Sequence, residues 1–389
     1  MSKTRPIRLV MQREIKRLTG RPVYLWCMIL APLLCFTFFL TLMDNGLPVD
    51  IPVGVVDEDN TSVTRQVLRN LDAFQQTGIT AQYSNFGDAR EAMQNGSIYA
   101  FFYIPKGTTE LALASKQPKI SFYTNASYLV PASLEYRDMK LMSEYASAAI
   151  TRATLYAKGY TEAQAMAVLQ PIKIEALTIG NPLLNYSVYL SNILLPGILM
   201  LIIFLVTIYS IHSEVKEETS VEWMAMAKDN IFTALGGKLL PQLAIWLVMG
   251  GIYMAMLYFC NRFPLNCGAW PMILVSVLLI IAAQAFAVFV CELLPSLRWA
   301  LSIATLWGVL SFPISGFSFP QIAFPDSLRA LSSLFPLRHY YLMYVSLALD
   351  GLPLRYCVGN IAALLIFIGL PLLLPFRLKH CLLEYQYTK

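Results

Sequence analysis

The chain has 389 residues, of which 57% are hydrophobic and 14% charged, with a formal net charge of +5 and a mean hydropathy of +0.55. Soluble domains carry about 25% charged residues and must cover themselves with polar side chains, so the apolar surplus needs another solvent. Disorder, a nucleic-acid-binding arm and most cytosolic enzymes are excluded, and the 22 Pro and 20 Gly have no period that would make the chain collagen-like.

Residues 1–22 hold Lys3, Arg5, Arg8, Arg13, Lys16, Arg17 and Arg21 against one acid, Glu14. Ile7, Met11, Ile15 and Leu18 recur at helical steps with Arg8, Arg13, Lys16 and Arg17 facing away. That is the pattern of an amphipathic helix lying on the inner leaflet, or of a helix packed on a protein partner. Six stretches free of Asp, Glu, Lys and Arg follow, at 23–43, 187–211, 239–260, 271–291, 299–319 and 357–376. Each is about the 20 residues that a helix needs to cross a bilayer core. They are too long and too uniform for barrel strands, so they read as helices. The basic N-terminus puts that end in the cytoplasm by the positive-inside rule, and six crossings return the tail 377–389, with Arg377, Lys379, His380 and Lys389, to the same side.

Between the first two spans, residues 44–186 have soluble composition and face outward in this topology. Ile51 to Val56 reads as a buried strand, Asp57 to Ser62 as a turn and Val63 to Phe74 as a helix. Strand and helix signals then alternate: Ile79 to Tyr83, Phe86 to Asn95, Tyr99 to Ile104, Thr108 to Ala114 and Lys119 to Tyr123, before longer helical stretches from Pro131 to Tyr156 and Thr161 to Leu169. The fold expected is an all-α transmembrane domain of six helices carrying an inserted extracytoplasmic α/β domain. The acidic run Asp57, Glu58, Asp59 lacks calcium-loop spacing and reads as a solvated turn.

Residues 212–238 are the most charged loop on the cytoplasmic side. Glu217 and Glu218 precede Thr219, placed to cap a short helix that has Glu222 in its first turn and Trp223, Met224 and Met226 as an apolar ridge. Such a helix serves as a docking feature or packs against the bilayer. Lys216-Glu-Glu-Thr-Ser-Val-Glu-Trp-Met224 resembles the signature of ABC type-2 exporter permeases, in which Glu217, Glu218, Ser220, Glu222, Trp223 and Met224 take the positions of the ATPase-coupling helix. Thr219 stands where that signature has Gly. Leu235-Gly-Gly-Lys-Leu-Leu-Pro241 resembles the start of the family's third span. Ser315-Gly-Phe-Ser-Phe-Pro320 and Leu334-Phe-Pro-Leu-Arg-His-Tyr-Tyr341, closed by Asp350-Gly351, resemble its re-entrant extracytoplasmic segment, here 320–356. Val53 to Ser62 resembles the start of the large external domain in the multidrug- and lipid-exporter-like subgroup.

The resemblance implies a permease in a bacterial inner membrane with both termini cytoplasmic, working with a second identical or homologous permease and with separate ABC ATPase subunits, and exporting an amphipathic or drug-like substrate. An outside partner such as a periplasmic adaptor follows from the size of the external domain. No cofactor is expected on this chain. ATP and Mg would sit on the partner, because Gly236-Gly237-Lys238 is followed by Leu239 and Phe232 stands where a phosphate loop has its first Gly. In the outer stretch, Pro313, Gly316, Phe317, Phe319, Pro320 and Pro336 are too apolar and too broken for a plain surface loop and are assigned to an outer gate. Asn192, a polar group inside a span, either bonds between helices or lines the route. His212, His339 and His380 show no catalytic or metal-ligand spacing, while Cys260 and Cys267 bracket a short outer loop where a disulfide would fit. The reading from another class is a membrane-anchored sensor with an external ligand-binding domain, for which the chain offers no output module.

Overall fold

Where formal charge leaves the sequence the chain is helical, because in lipid a backbone must satisfy its own hydrogen bonds. The computed structural model describes residues 4–44, 46–114, 116–171, 180–181 and 185–384. It forms two units, Met1–Asp44 with Thr178–Lys389, and Asn45–Leu177.

The first unit is a bundle of six helices long and apolar enough to cross a membrane: span 1 Pro22–Leu42, span 2 Tyr186–Lys216, span 3 Ile231–Cys260, span 4 Ala269–Leu293, span 5 Leu297–Ile314 and span 6 Leu354–Leu372. Spans 2 and 4 are two-thirds buried and form its centre, while the other four keep most of their surface for lipid. The N-terminal helix Thr4–Gly20 is a separate element, since Arg21 is extended and Pro22 starts span 1 without an N–H to continue the ladder. Spans 2 and 3 overrun their charge-free stretches furthest. Span 2, 31 residues and therefore about 47 Å long, carries His212 to Lys216 as its last turn and is capped at its start by the Asn185 side chain. Span 3 begins at Ile231, capped by Asn230, so that the loop between spans 2 and 3 shrinks to residues 217–230. Span 5 is shorter than its apolar stretch. Pro313 falls in its last turn and Gly316, at φ 100°, turns the chain, which leaves Phe317, Phe319 and Pro320 beyond the helix. Gly308 lets span 5 lie close on span 2, because a Cβ there would sit 2.5 Å from Leu201. All seven cysteines are free, Cys260 and Cys267 included.

The second unit is a small α/β layer built on strands β1 Ile51–Asp57, β2 Thr77–Gln82, β3 Ala100–Ile104 and β4 Ser121–Thr124, in the order β2-β1-β3-β4. The central strand β1 is parallel to β2 and β3, and β4 closes the edge antiparallel to β3. Helices cover both faces, which is why β1 and β3 read as unbroken apolar runs. Val53, Phe102, Leu71 and Met139 form one core with helices Ser62–Asp72 and Leu129–Ala157; Val56, Phe101 and Ala89 form the other with helix Phe86–Gln94. The acidic turn is spent on loop hydrogen bonds. Asp57 accepts from the backbone N–H of Asp59 and Asn60 and from the Thr64 hydroxyl, and Asp59 accepts from Gly107 and Thr109.

Glu135 is fully buried in this unit beside Asp138, with the Thr77 hydroxyl 3.2 Å from one oxygen and no partner for the other. Burial, aided by the neighbouring Asp138 charge and opposed by the Thr77 hydrogen bond, pushes its carboxyl up to about 8. A raised folded-state value means that the contribution to stability is fully present below the ordinary value of 4.5 and is lost as pH rises through about 8. Hydrogen exchange of peptides from residues 46–171 in the intact protein should therefore accelerate between pH 5 and 8 beyond the intrinsic chemical rate, and Glu135→Gln should flatten that excess.

Candidate functional site

The end of span 2 is built as a Schellman turn. The Glu218 N–H donates to the Val215 carbonyl (3.1 Å) and the Thr219 N–H to the Glu214 carbonyl (2.8 Å), with Glu218 left-handed at φ 58°. The glycine-like position of the motif is thus Glu218, while Thr219 sits at φ −100° and needs no glycine. Thr219 occupies the N-cap of the loop helix Ser220–Met226 without capping it, because its hydroxyl donates instead to the Glu214 carboxylate. The sequence reading of an apolar docking ridge is corrected here. Trp223 and Met224 are fully buried and hold the helix to the bundle, and Ser220 is buried with them. What the helix turns outward is Val221, Glu222 and Ala225, flanked by the exposed Glu218.

Behind that helix lies a group of charges which sequence reasoning did not join. Lys238, in the second turn of span 3 and fully buried, has its ammonium 2.7 Å from Glu14 of the N-terminal helix and 2.8 Å from Glu214 of span 2, and stands 4.9 Å from the ring centre of Trp223. Arg13 grips Glu214 with both guanidinium nitrogens, at 2.8 and 2.9 Å, and Arg17 adds a third contact at 2.7 Å. Glu217 takes Arg17 at 2.9 Å and Arg21 at 2.5 Å, and Gln242 and Ser210 complete the shell of Glu14 at 2.8 and 3.1 Å. The Arg21 hydrogen bonds hold the Glu217 carboxyl below its usual range, and the Arg13 guanidinium is raised by its bond to Glu214. Glu217 is thereby committed to the N-terminal helix, leaving Glu218 and Glu222 as the acids free to meet another protein.

These contacts reset the N-terminal helix. Its buried side is Val10, Glu14 and Leu18, and Ile15, assigned to the apolar face, is 48% exposed. The physical reason is that Arg13 and Arg17 turn inward to acids instead of outward to lipid headgroups. Gly237 permits the fit, since a Cβ there would lie 2.6 Å from Val10. Two clues were legible: Glu14 is the only acid among seven bases, and Lys238 stands alone ahead of a charge-free run.

At the opposite end, the residues assigned to a gate divide. Pro336 is buried at the start of helix Pro336–Tyr344, which packs on spans 2, 4, 5 and 6. Pro313, Phe319 and Pro320 are exposed, while Phe317 is half-buried with its carbonyl accepting the Tyr189 hydroxyl of span 2. Asn192 is fully buried and satisfied, donating to the Val188 carbonyl at 2.8 Å and accepting from Tyr258 of span 3 at 3.0 Å. It bonds helix to helix here. Among the described residues no group of His, Cys, Asp and Glu is placed to hold a metal ion.

The family model described as ABC-2 family transporter protein matches residues 22–377. No curated protein matches the chain significantly.

Breaking one member of a buried ion cluster costs more than the cluster contributes, because the remaining charges stay buried. Lys238→Met should lower the unfolding free energy by about 3–5 kcal/mol and expose Arg13, Lys16 and Arg17 to trypsin, as seen in thermal unfolding and limited proteolysis of the detergent-solubilised protein. Gly237→Leu should release the same tryptic sites by steric displacement of Val10 with the charges untouched.

Proposed function

The chain belongs to the ABC-2 family of transporter proteins, and from that premise we propose that it is the permease of an exporter driven by a separate ATPase subunit. Membership makes it a multi-pass membrane component of an ABC transporter without an ATPase site of its own. The finer reading is that the ATPase docks on the outward face of helix Ser220–Met226, that the basic end of the bundle is cytoplasmic in a bacterial inner membrane, and that two permeases, identical or homologous, work together. The observation that carries it is the two-sidedness of that helix: Val221, 58% exposed, and Glu222 face out with no partner, while Trp223 rests on the Lys238 cluster.

Coupling follows from the attachment. ATP-driven closure of the partner presses on Glu222, Glu218 and Val221. Because Trp223 and Met224 are buried on the other side, the displacement passes to the ends of spans 2 and 3 and to the N-terminal helix together. Spans 2 and 5, packed through Gly308, carry it across, and the segment from Pro313 through Gly316, Phe317, Phe319 and Pro320 to Pro336 opens as the outer gate. The exposed charges of the spans, Lys216, Arg298 and Arg355, sit at span ends, so the middles of the spans offer a substrate none, which favours an amphipathic or drug-like cargo leaving the cytoplasm or inner leaflet. The inserted domain is assigned to an adaptor outside the membrane. A sensor role has no support from the family.

Glu222→Arg reverses charge on the outward face without touching the buried side. In membranes holding the permease with its ATPase, it should reduce transport-coupled ATP turnover by about tenfold or more, as expected when a charged pair at an interface becomes repulsive. The protein should keep its wild-type thermal transition. Unchanged turnover with unchanged subunit assembly would remove the docking assignment.

A further inference from the structure

Glu292 lies in the last turn of span 4, 2% exposed, its carboxylate oxygens closed off from water and without a side-chain partner, with only the Leu374 backbone N–H turned toward them. Its setting is unfavourable twice over. Burial removes the hydration of a carboxylate, at a cost of several kcal/mol when nothing replaces it, and the C-terminal end of a helix already presents the negative pole of the backbone dipoles. Basic groups belong at such a position, and the protein supplies none in contact. Arg377, nearest in character, donates its Nη2 to the Leu293 carbonyl at 3.1 Å instead.

The carboxylate stands in the wall of a cavity of about 360 Å³, lined also by Pro295, Arg377, His380, Cys381 and Glu384. The last four fall at helical spacing on one side of the tail helix Pro375–Glu384. The cavity thus has an acid in its floor and, at its rim, an exposed guanidinium together with an exposed His380–Glu384 pair 3.0 Å apart. A buried acid beside an exposed guanidinium suits a zwitterion whose cation goes to the acid. The cation needs N–H donors, because the Glu292 carboxylate is short of hydrogen bonds, and this excludes a quaternary ammonium. The anion it carries meets Arg377. The site sits at the end of a span, where phospholipid headgroups lie.

We propose that this cavity binds a primary ammonium group linked to a phosphate, the headgroup chemistry of an aminophospholipid such as phosphatidylethanolamine, with Glu292 accepting from the ammonium and Arg377 facing the phosphate. The tail helix that forms the rim is also tied to the loop before span 3, Lys379 donating to the Asp229 carbonyl at 2.7 Å, and it packs on helix Ser220–Met226. Occupancy would therefore set the position of the tail helix against the loop helix.

The test is native mass spectrometry of the intact chain in detergent, titrated separately with phosphatidylethanolamine, phosphatidylcholine and phosphatidylglycerol. A charge-assisted pair to Glu292 is expected to give one phosphatidylethanolamine retained about tenfold more tightly than either other lipid. Glu292→Gln, equal in shape and uncharged, should erase that preference while eluting as a single species with the wild-type thermal transition. Should the variant fail to fold, the wild-type comparison between ethanolamine and choline headgroups still decides. Displacement of the lipid by soluble glycerophosphoethanolamine at matching concentration would support the ammonium site and assign it to the free headgroup, whereas persistence of the lipid assigns it to the membrane. Equal retention of the three lipids by the wild type, or an undiminished preference in a folded Glu292→Gln protein, would overturn the proposal.

Discussion

Everything at the basic end of the bundle depends on one ammonium group. Lys238 sits between Glu14 and Glu214 with no exposure to water, and each contact joins a different part of the chain: the N-terminal helix, the end of span 2 and the start of span 3. An ammonium buried there without partners would carry its desolvation cost uncompensated. Two carboxylates at 2.7 and 2.8 Å, themselves held by Arg13, Arg17, Gln242 and Ser210, supply what water supplied before. The charges are mutually required, so the three chain segments are too.

That requirement reaches the loop helix through Trp223, whose ring lies against the same ammonium, and through Thr219, whose hydroxyl is given to Glu214. A helix of seven residues has little stability of its own. Its rigidity comes from the buried side, from the Schellman turn at Glu218 before it and from the left-handed pair Lys228 and Asp229 after it. The proposed docking of an ATPase on so short an element rests on this: it is an outcrop of the bundle, not a tethered loop.

The two materials of the chain were legible to different depths. Six spans and an inserted α/β layer follow from charge-free length and from alternating strand and helix signals, because lipid and a two-faced sheet each impose a simple rule on composition. The short helix at 220–226 was legible from its first-turn acid and apolar pattern. Its orientation was not, because periodicity cannot say whether an apolar side faces the rest of the protein or a partner. The same ambiguity reversed the N-terminal helix, where Arg13 and Arg17 read as lipid-facing until Glu214 and Glu217, some 200 residues away, stood opposite them. Long-range charge pairing leaves no local signature. Asn192 shows the converse: the sequence left this polar residue of a span between a helix-to-helix bond and a lining role, and the structure shows the bond, to Tyr258 of span 3.

The two ends of the bundle are held by interactions of different kind, and this limits how the molecule can move. At the basic end, separating Lys238 from Glu14 or Glu214 strands a buried charge, which is costly enough to keep the N-terminal helix, the loop helix and the ends of spans 2 and 3 moving together. At the other end, the links include a tyrosine hydroxyl on the Phe317 carbonyl, the Asn266 side chain on the Leu349 carbonyl at 2.7 Å, Arg338 on the neutral Gln321 side chain at 3.0 Å, and apolar contacts of Pro336, Leu337 and Tyr340. Such bonds can be exchanged for others of similar worth, since a neutral hydrogen bond contributes only about 0.5–1.5 kcal/mol net. In the proposed coupling, a push at Glu222 would meet a block that yields as a whole, and the rearrangement would be taken up where Pro313 and Gly316 have already interrupted the helix.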